Sequence, residues 1–247
     1  MKQVSALPWV REYKRRTFAL LDLRPGLHVL DVGCGRGDDV IALAKIVGPN
    51  GRVAGVDQSA VMLAAARTAA HDAGVAVELV EADAASLPFP DESFDACRID
   101  RTLEHLQDPA AALRELVRVC RPGGRVATAE PDWDTLAVDA PDLETSRAVT
   151  RAQSAEIAHG TIGRSLRRLL IEAGLRDVVT DTMALAFEDL TTAEAVYGIR
   201  HALAKVVKGR EVEPARADAW WRSLEEADAA GTFWASMIGT IAIGRKP

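Results

Sequence analysis

Three groups of residues in this chain stand where they could do chemistry. The first is a glycine run, Asp31-Val32-Gly33-Cys34-Gly35-Arg36-Gly37, directly after the apolar His28-Val29-Leu30. Glycines at every second position let the backbone turn tightly and let a ligand touch it, because no Cβ is in the way. A helix beginning near Asp38 would add unpaired N–H groups at its start. The second is a pair of acids, Asp57 and Asp83, each closing a short apolar stretch. A carboxylate at the end of a second strand can accept both hydroxyl hydrogens of a ribose. The third is Asp100-Arg101-Thr102-Leu103-Glu104-His105-Leu106, followed by Asp108-Pro109. Its best-placed titratable group is His105, since histidine changes charge near neutral pH.

The glycine run excludes two common readings. A dinucleotide fingerprint needs a small residue five positions after its first glycine. Counted from Gly33 that position is Asp38, and counted from Gly35 it is Val40. The phosphate-cradling loop needs Gly-Lys-Ser/Thr, and the chain has no such triplet. Asp38 and Asp39 at the helix start would repel a pyrophosphate. The loop therefore favours a nucleoside ligand without phosphates.

The elements that must position these residues alternate. Helical spacing covers residues 9 to 23, with Tyr13, Thr17, Leu20 and Leu21 on one face. Buried strands are expected at 28–32, 52–57, 76–83, 94–99 and 125–130. Between them, helical stretches follow the glycine run, start at a Ser59 cap and pass Met62, and start at Pro109. Strands alternating with helices imply parallel crossovers and a sheet covered on both faces, with ligands outside the carboxyl ends of the strands. Beyond residue 130, an acidic and then helical insertion is expected over 131–160. Thr161 should cap a helix, Arg176 to Phe187 should form a sixth strand, a second helical insertion should cover 191–230, and Thr232 to Arg245 should form a seventh strand.

DVGCGRG resembles the D/E-x-G-x-G-x-G motif of class I S-adenosylmethionine-dependent methyltransferases at every defined position. Asp83-Ala84, Leu87-Pro88-Phe89 and the Pro122-Gly123-Gly124 turn are also similar to that family. The likeness covers residues 26 to 130 and thins in the two insertions. It implies a Rossmann-like α/β fold, a seven-stranded mostly parallel sheet of order 3-2-1-4-5-7-6 with the last strand antiparallel. It implies one domain over 1–247, with an N-terminal helical cap (1–25), a cofactor core (26–130) and insertions (131–160, 191–230) that form a lid over the substrate. S-adenosylmethionine would be the cofactor, held by Gly33, Cys34, Gly35, Asp57, Gln58, Met62, Asp83, Ala84 and Arg101. Asp83 would take the adenine amine, and Arg101 the cofactor's carboxylate. His105, or else Glu104, would be the base for an acceptor that must lose a proton. The acceptor implied is a small natural-product or quinone-like metabolite. A non-enzymatic regulator that binds the cofactor, and a nicotinamide-dependent oxidoreductase, are the competing readings.

Composition narrows the rest. A net charge of -6 argues against a nucleic-acid binder. No apolar run is long enough to span a membrane. Met1 to Pro8 lacks the apolar core of a signal peptide. Cys34, Cys97 and Cys120 are few and far apart, which fits a reducing cytoplasm without disulfides. No cluster has metal-ligand spacing. A monomer or homodimer is expected. Trp133, Tyr197, Trp220, Trp221, Phe233 and Trp234 suit a lid over a flat acceptor or, equally, ordinary packing.

Overall fold

The computed structural model describes residues 8–247. The expectation for the first eight residues falls almost wholly outside them. In chain order the elements are α1 (Pro8–Leu20), β1 (His28–Val32), α2 (Asp38–Val47), β2 (Arg52–Asp57), α3 (Ala60–Asp72), β3 (Glu78–Glu81), β4 (Phe94–Asp100), α4 (Pro109–Val119) and β5 (Cys120–Val138). Then come α5 (Leu143–Glu156), α6 (Leu166–Glu172), β6 (Arg176–Phe187), α7 (Leu190–Tyr197), α8 (Ile199–Lys208), α9 (Pro214–Ala229) and β7 (Ala235–Arg245).

The seven strands form one sheet of order β3-β2-β1-β4-β5-β7-β6. β1 pairs in parallel with β2 and β4, β2 with β3, and β4 with β5. β7 runs the other way beside β5. Gly123 N–H donates to Lys246 O at 2.9 Å, whereas further up β5 Thr128 Oγ1 meets Ala242 O at 3.3 Å. β1 and β4 are buried nearly throughout, as befits strands covered on both faces. Register then does the positioning. Val32 lies opposite both Val56 and Ile99, and Asp100 lies opposite Ala129. Gly33, Asp57, Asp100 and Glu130 therefore come out in a row at the carboxyl edge.

The chain forms two compact units. One comprises Arg15–Glu130, Arg164–Asp181 and Thr240–Pro247. Its core joins Val29, Leu43, Val53, Leu63, Ala96 and Ile243. The other comprises residues up to Lys14, Pro131–Gly163 and Thr182–Gly239. It has a core of its own, built on Trp133, Phe187, Tyr197, Trp220, Leu224 and Phe233. There the Phe187 and Tyr197 rings meet edge-on at 4.8 Å, and Trp220 Nε1 donates to Ser146 Oγ at 2.9 Å. Four of the six aromatics singled out above (Trp133, Tyr197, Trp220 and Phe233) are thus core residues of this unit, while Trp234 is exposed.

β3 is shorter than the expected 76–83, β7 starts at Ala235 rather than Thr232, and two further boundaries differ more. β5 does not start after the Pro122-Gly123-Gly124 turn or stop at Glu130. The turn is carried as an irregularity within the strand, between the pairs Phe94–Cys120 and Ala96–Arg125. The strand then continues over 131–138, where the acidic start of a helical insertion is expected; Asp132 and Trp133 are buried there. The helix expected from a Thr161 cap starts later. Residues Ile162–Ser165 form a 3-10 turn, and α6 begins at Leu166 without a side-chain cap. No described helix is long and apolar enough to cross a membrane, and no group of three or more potential ligands for a metal stands among the described residues.

Candidate active site

The three motif glycines are small for three different reasons. At Gly33, with φ +72°, an added Cβ would come within 2.1 Å of Thr102 Oγ1, so this glycine lets the β4 loop sit on the β1 turn. At Gly37 a Cβ would press on Ala66 of α3 at 2.9 Å, so this one serves helix packing. At Gly35, with φ +53°, nothing lies within 4 Å of the added Cβ. Only there does the missing side chain leave open space, as a backbone approached by a ligand requires.

Asp57 is tied to this loop. Its Oδ2 accepts the Gly35 N–H and its Oδ1 the Ser59 N–H, both at 2.9 Å. Each carboxylate oxygen has a further lone pair for a ligand hydroxyl. A cleft of about 230 Å³ opens beside it. Of the residues expected to bind the cofactor, Gly33, Asp57, Gln58, Asp83, Ala84 and Arg101 line this cleft, and His105 joins them. Asp83 Oδ1 accepts the Ala85 N–H at 2.8 Å, which leaves its other oxygen directed elsewhere. Three expected residues are not on the lining. Gly35 stands next to it through Asp57. Met62 N–H donates to Ser59 Oγ at 3.3 Å in the first turn of α3. Cys34 is buried in the core, with its N–H on Val56 O at 2.9 Å. Burial, with Asp31 and Asp57 nearby, pushes its thiol up to about 12, so it stays neutral.

The segment after β4 is held from below. Arg101 takes the left-handed backbone region, φ +47°, which turns the chain back toward the cleft. Glu130 Oε1 accepts the N–H groups of Thr102 (2.9 Å) and Leu103 (2.7 Å), and the 3-10 turn Leu103–His105 follows. His105 is largely exposed, with Nε2 at 3.4 Å from Glu104 Oε1. Glu104 itself is buried, unlike most glutamates. Burial, reinforced by Glu104, holds the Glu130 carboxyl well above the usual range, against the pull of its two backbone donors.

Sequence reasoning missed a buried ion cluster beneath this edge. Arg98 on β4 is fully enclosed and contacts Asp31 at 2.8 Å, Asp39 at 2.9 Å and Asp100. Burial alone would lower the guanidinium's pKa, but Asp39 and Asp31 more than offset it. Asp39 therefore does not face a ligand at the helix start, as the sequence suggested; only Asp38 is exposed there. Burial pushes Asp100 up to about 6, with Arg101 pulling against it and Glu104 adding to it.

Comparison with known proteins agrees with this geometry. Residues 30–128 match the model of a methyltransferase domain. An uncharacterized 37.1 kDa protein in transposon TN4556 of Streptomyces fradiae is 40% identical over 238 residues, 96% of this chain and 68% of that protein. A demethylmenaquinone methyltransferase of Bacillus cytotoxicus is 38% identical over 137 residues, 55% of this chain and 58% of the relative. The chain thus spans little more than half the length of that enzyme. The crystal structure of the YcgJ protein from Bacillus subtilis shares the fold, with a TM-score of 0.65 at 20% identity over 96% of this chain and 98% of that one. The chain belongs to the class I S-adenosylmethionine-dependent methyltransferases. Its cofactor is S-adenosylmethionine.

Proposed function

We propose that this enzyme methylates a small, flat organic acceptor of the quinol or natural-product class. S-adenosylmethionine supplies a methyl carbon already made electrophilic by its sulfonium, so the protein's main task is to place the acceptor in line. In this reading Asp57 takes the ribose hydroxyls, Asp83 and the Ala84 N–H take the adenine, and Gly35 lets the backbone approach the cofactor. Gln58 and Met62 border the adenosine, and Cys34 contributes backbone only. Arg101 pairs with the aminoacid carboxylate.

The observation that carries the reading is the open space at Gly35, joined to Asp57 by a hydrogen bond at the mouth of the cleft. For a hydroxyl acceptor a proton must leave, and His105 on the cleft wall is the group we assign to take it, with Glu104 fixing the imidazole. Support for a quinol comes from the demethylmenaquinone methyltransferases of Bacillus cytotoxicus and Staphylococcus aureus, similar over about half of this chain. The test is transfer of labelled methyl from S-adenosylmethionine to a panel of quinols, catechols and amines. Turnover with a quinol or catechol and none with amines is expected. Transfer to amines alone would overturn the acceptor class. Cofactor binding without transfer to any acceptor would favour a regulator instead.

A further inference from the structure

A second cleft in the sheet-bearing unit is not at the carboxyl edge. It lies at the opposite end, where the parallel strands begin, and measures about 320 Å³. Four separate stretches of chain converge on it: the loop before β1, the start of β4, the Pro122-Gly123-Gly124 turn of β5 with its flanking residues, and the last residue of β7. Between them they bring four arginines, Arg24, Arg121, Arg125 and Arg245, against two carboxylates, Asp22 and Asp95.

The carboxylates are already engaged. Asp22 Oδ2 accepts from Arg24 at 2.6 Å and sits 3.5 Å from Arg125. Asp95 Oδ1 pairs with Arg121 at 2.8 Å, and its Oδ2 accepts the His28 N–H at 2.8 Å. Two positive charges remain unmatched in the lining. Donors remain as well, since each guanidinium carries five N–H groups. The Arg245 Nε–H goes to Gly123 O at 3.0 Å and one Arg125 donor to Leu20 O at 2.5 Å. The Nε of Arg121 is enclosed and has no acceptor among the described residues. A structural clip needs one arginine per carboxylate. Four gathered guanidiniums repel one another unless an anion joins them, and their planar forks match phosphate oxygens two at a time.

We infer that this cleft is a second binding site, for a small ligand carrying phosphate groups. It is separate from the cofactor site. The β1–β5 strands lie between the two, and no residue is shared between their linings. The acids at the carboxyl edge suit a phosphate-free nucleoside, whereas this edge suits the reverse.

The test is calorimetric titration of the intact protein with inorganic pyrophosphate, at ionic strength held constant with chloride. Saturable binding is expected, and saturating S-adenosylhomocysteine should leave it unchanged. The double variant Arg24→Gln/Arg245→Gln should weaken it roughly tenfold or more, the worth of one charge-assisted hydrogen bond. Arg245→Lys, which keeps the charge but loses the fork, should weaken it less. Thermal melts of the three proteins establish that they are folded. Absence of saturable binding at millimolar pyrophosphate would overturn the inference. So would equal affinity in the folded double variant, or displacement of pyrophosphate by S-adenosylhomocysteine.

Discussion

At the carboxyl ends of the parallel strands stand Asp57, Asp83, Asp100 and Glu130; where those strands begin stand Arg121 and Arg125, joined by Arg24 from the preceding loop and Arg245 from antiparallel β7. The two edges belong to one sheet and differ in how their charges are held. At the carboxyl edge the acids are bound to backbone N–H groups: Asp57 to Gly35 and Ser59, Asp83 to Ala85, Glu130 to Thr102 and Leu103. They are therefore fixed before any ligand arrives, which lowers the ordering cost of binding. At the other edge the arginines are held mainly by two aspartates and stay half-exposed. A rigid acid row recognises one shape. A group of partly exposed cations recognises charge first and is screened by salt.

The sharpest way to break the comparison is to fill Gly35, which alone of the three motif glycines faces open space. Gly35→Val should abolish S-adenosylmethionine binding, because a Cβ there occupies the ligand's approach and the φ of +53° disfavours a branched residue. Pyrophosphate binding at the far edge should be untouched. Normal cofactor affinity in the folded variant would remove the glycine run from the site.

Next in size is His105→Ala. If His105 is the base for a hydroxyl acceptor, turnover should fall roughly 10²- to 10⁴-fold with cofactor affinity nearly unchanged. Full turnover in the alanine variant would leave positioning as the main source of rate. Beneath the same edge, Arg98→Met would strand Asp31, Asp39 and Asp100 without their shared cation. Breaking a buried pair by removing one partner costs about 3–5 kcal/mol, and denaturant unfolding should register a loss of that order. A change within experimental error would mean that the acids are neutral in the fold. Asp57→Ala should weaken cofactor binding by roughly 1.5–3 kcal/mol, the range for a hydrogen bond involving a charged group. Isothermal titration of a folded variant with unchanged affinity would remove the ribose assignment.

The carboxyl edge was the more legible of the two, for a physical reason. Strand, glycine turn and helix recur in sequence order over residues 28 to 130, so Gly33, Asp57 and Asp83 could be placed at strand ends from spacing alone, and the sheet order followed from the family likeness. Arg98 was not legible. A cation inside Phe94-Asp95-Ala96-Cys97-Arg98-Ile99 reads as a solvent-facing strand position, and its three partners come from β1, α2 and β4. Glu104 was hidden likewise, since nothing local marks a glutamate as buried. Glu130 was seen as a strand end, but its hold on Thr102 and Leu103 depends on a register of β4 with β5 that composition does not print. The arginine cleft gathers residues from positions 24, 121, 125 and 245, too far apart for any motif. In the other unit, the stretch 131–138 was read as part of an acidic and then helical insertion, whereas it continues β5. Strand pairing there outweighs local propensity, as context does in sheets. That the stretches 131–163 and 182–239 share one core was also outside the reach of pattern reading.

The smallest effect concerns Asp100 and decides how the acid row is charged. Burial pushes its carboxyl up to about 6, so the folded state holds the proton more tightly than the unfolded chain, where an aspartate titrates near 3.9. The sign follows from this. The stability that Asp100 contributes is fully present at low pH, is lost as pH rises from about 4 to about 6, and is constant above. Asn cannot lose that proton. The stability of Asp100→Asn relative to wild type should therefore rise across this window by about 3 kcal/mol and then level off. Thermal or urea unfolding of both proteins at several pH values measures it, because groups unrelated to Asp100 titrate in both and cancel. Arg101 pulls against this shift, and Arg98 touches Asp100 as well while also serving Asp31 and Asp39. If Arg98 instead held Asp100 ionised throughout, its folded pKa would lie below the unfolded value. The asparagine variant would then lose ground as pH rises through the acid range. The slope of that difference against pH thus reports whether Asp100 is ionised in the fold, and so how much negative charge the carboxyl edge carries at neutral pH.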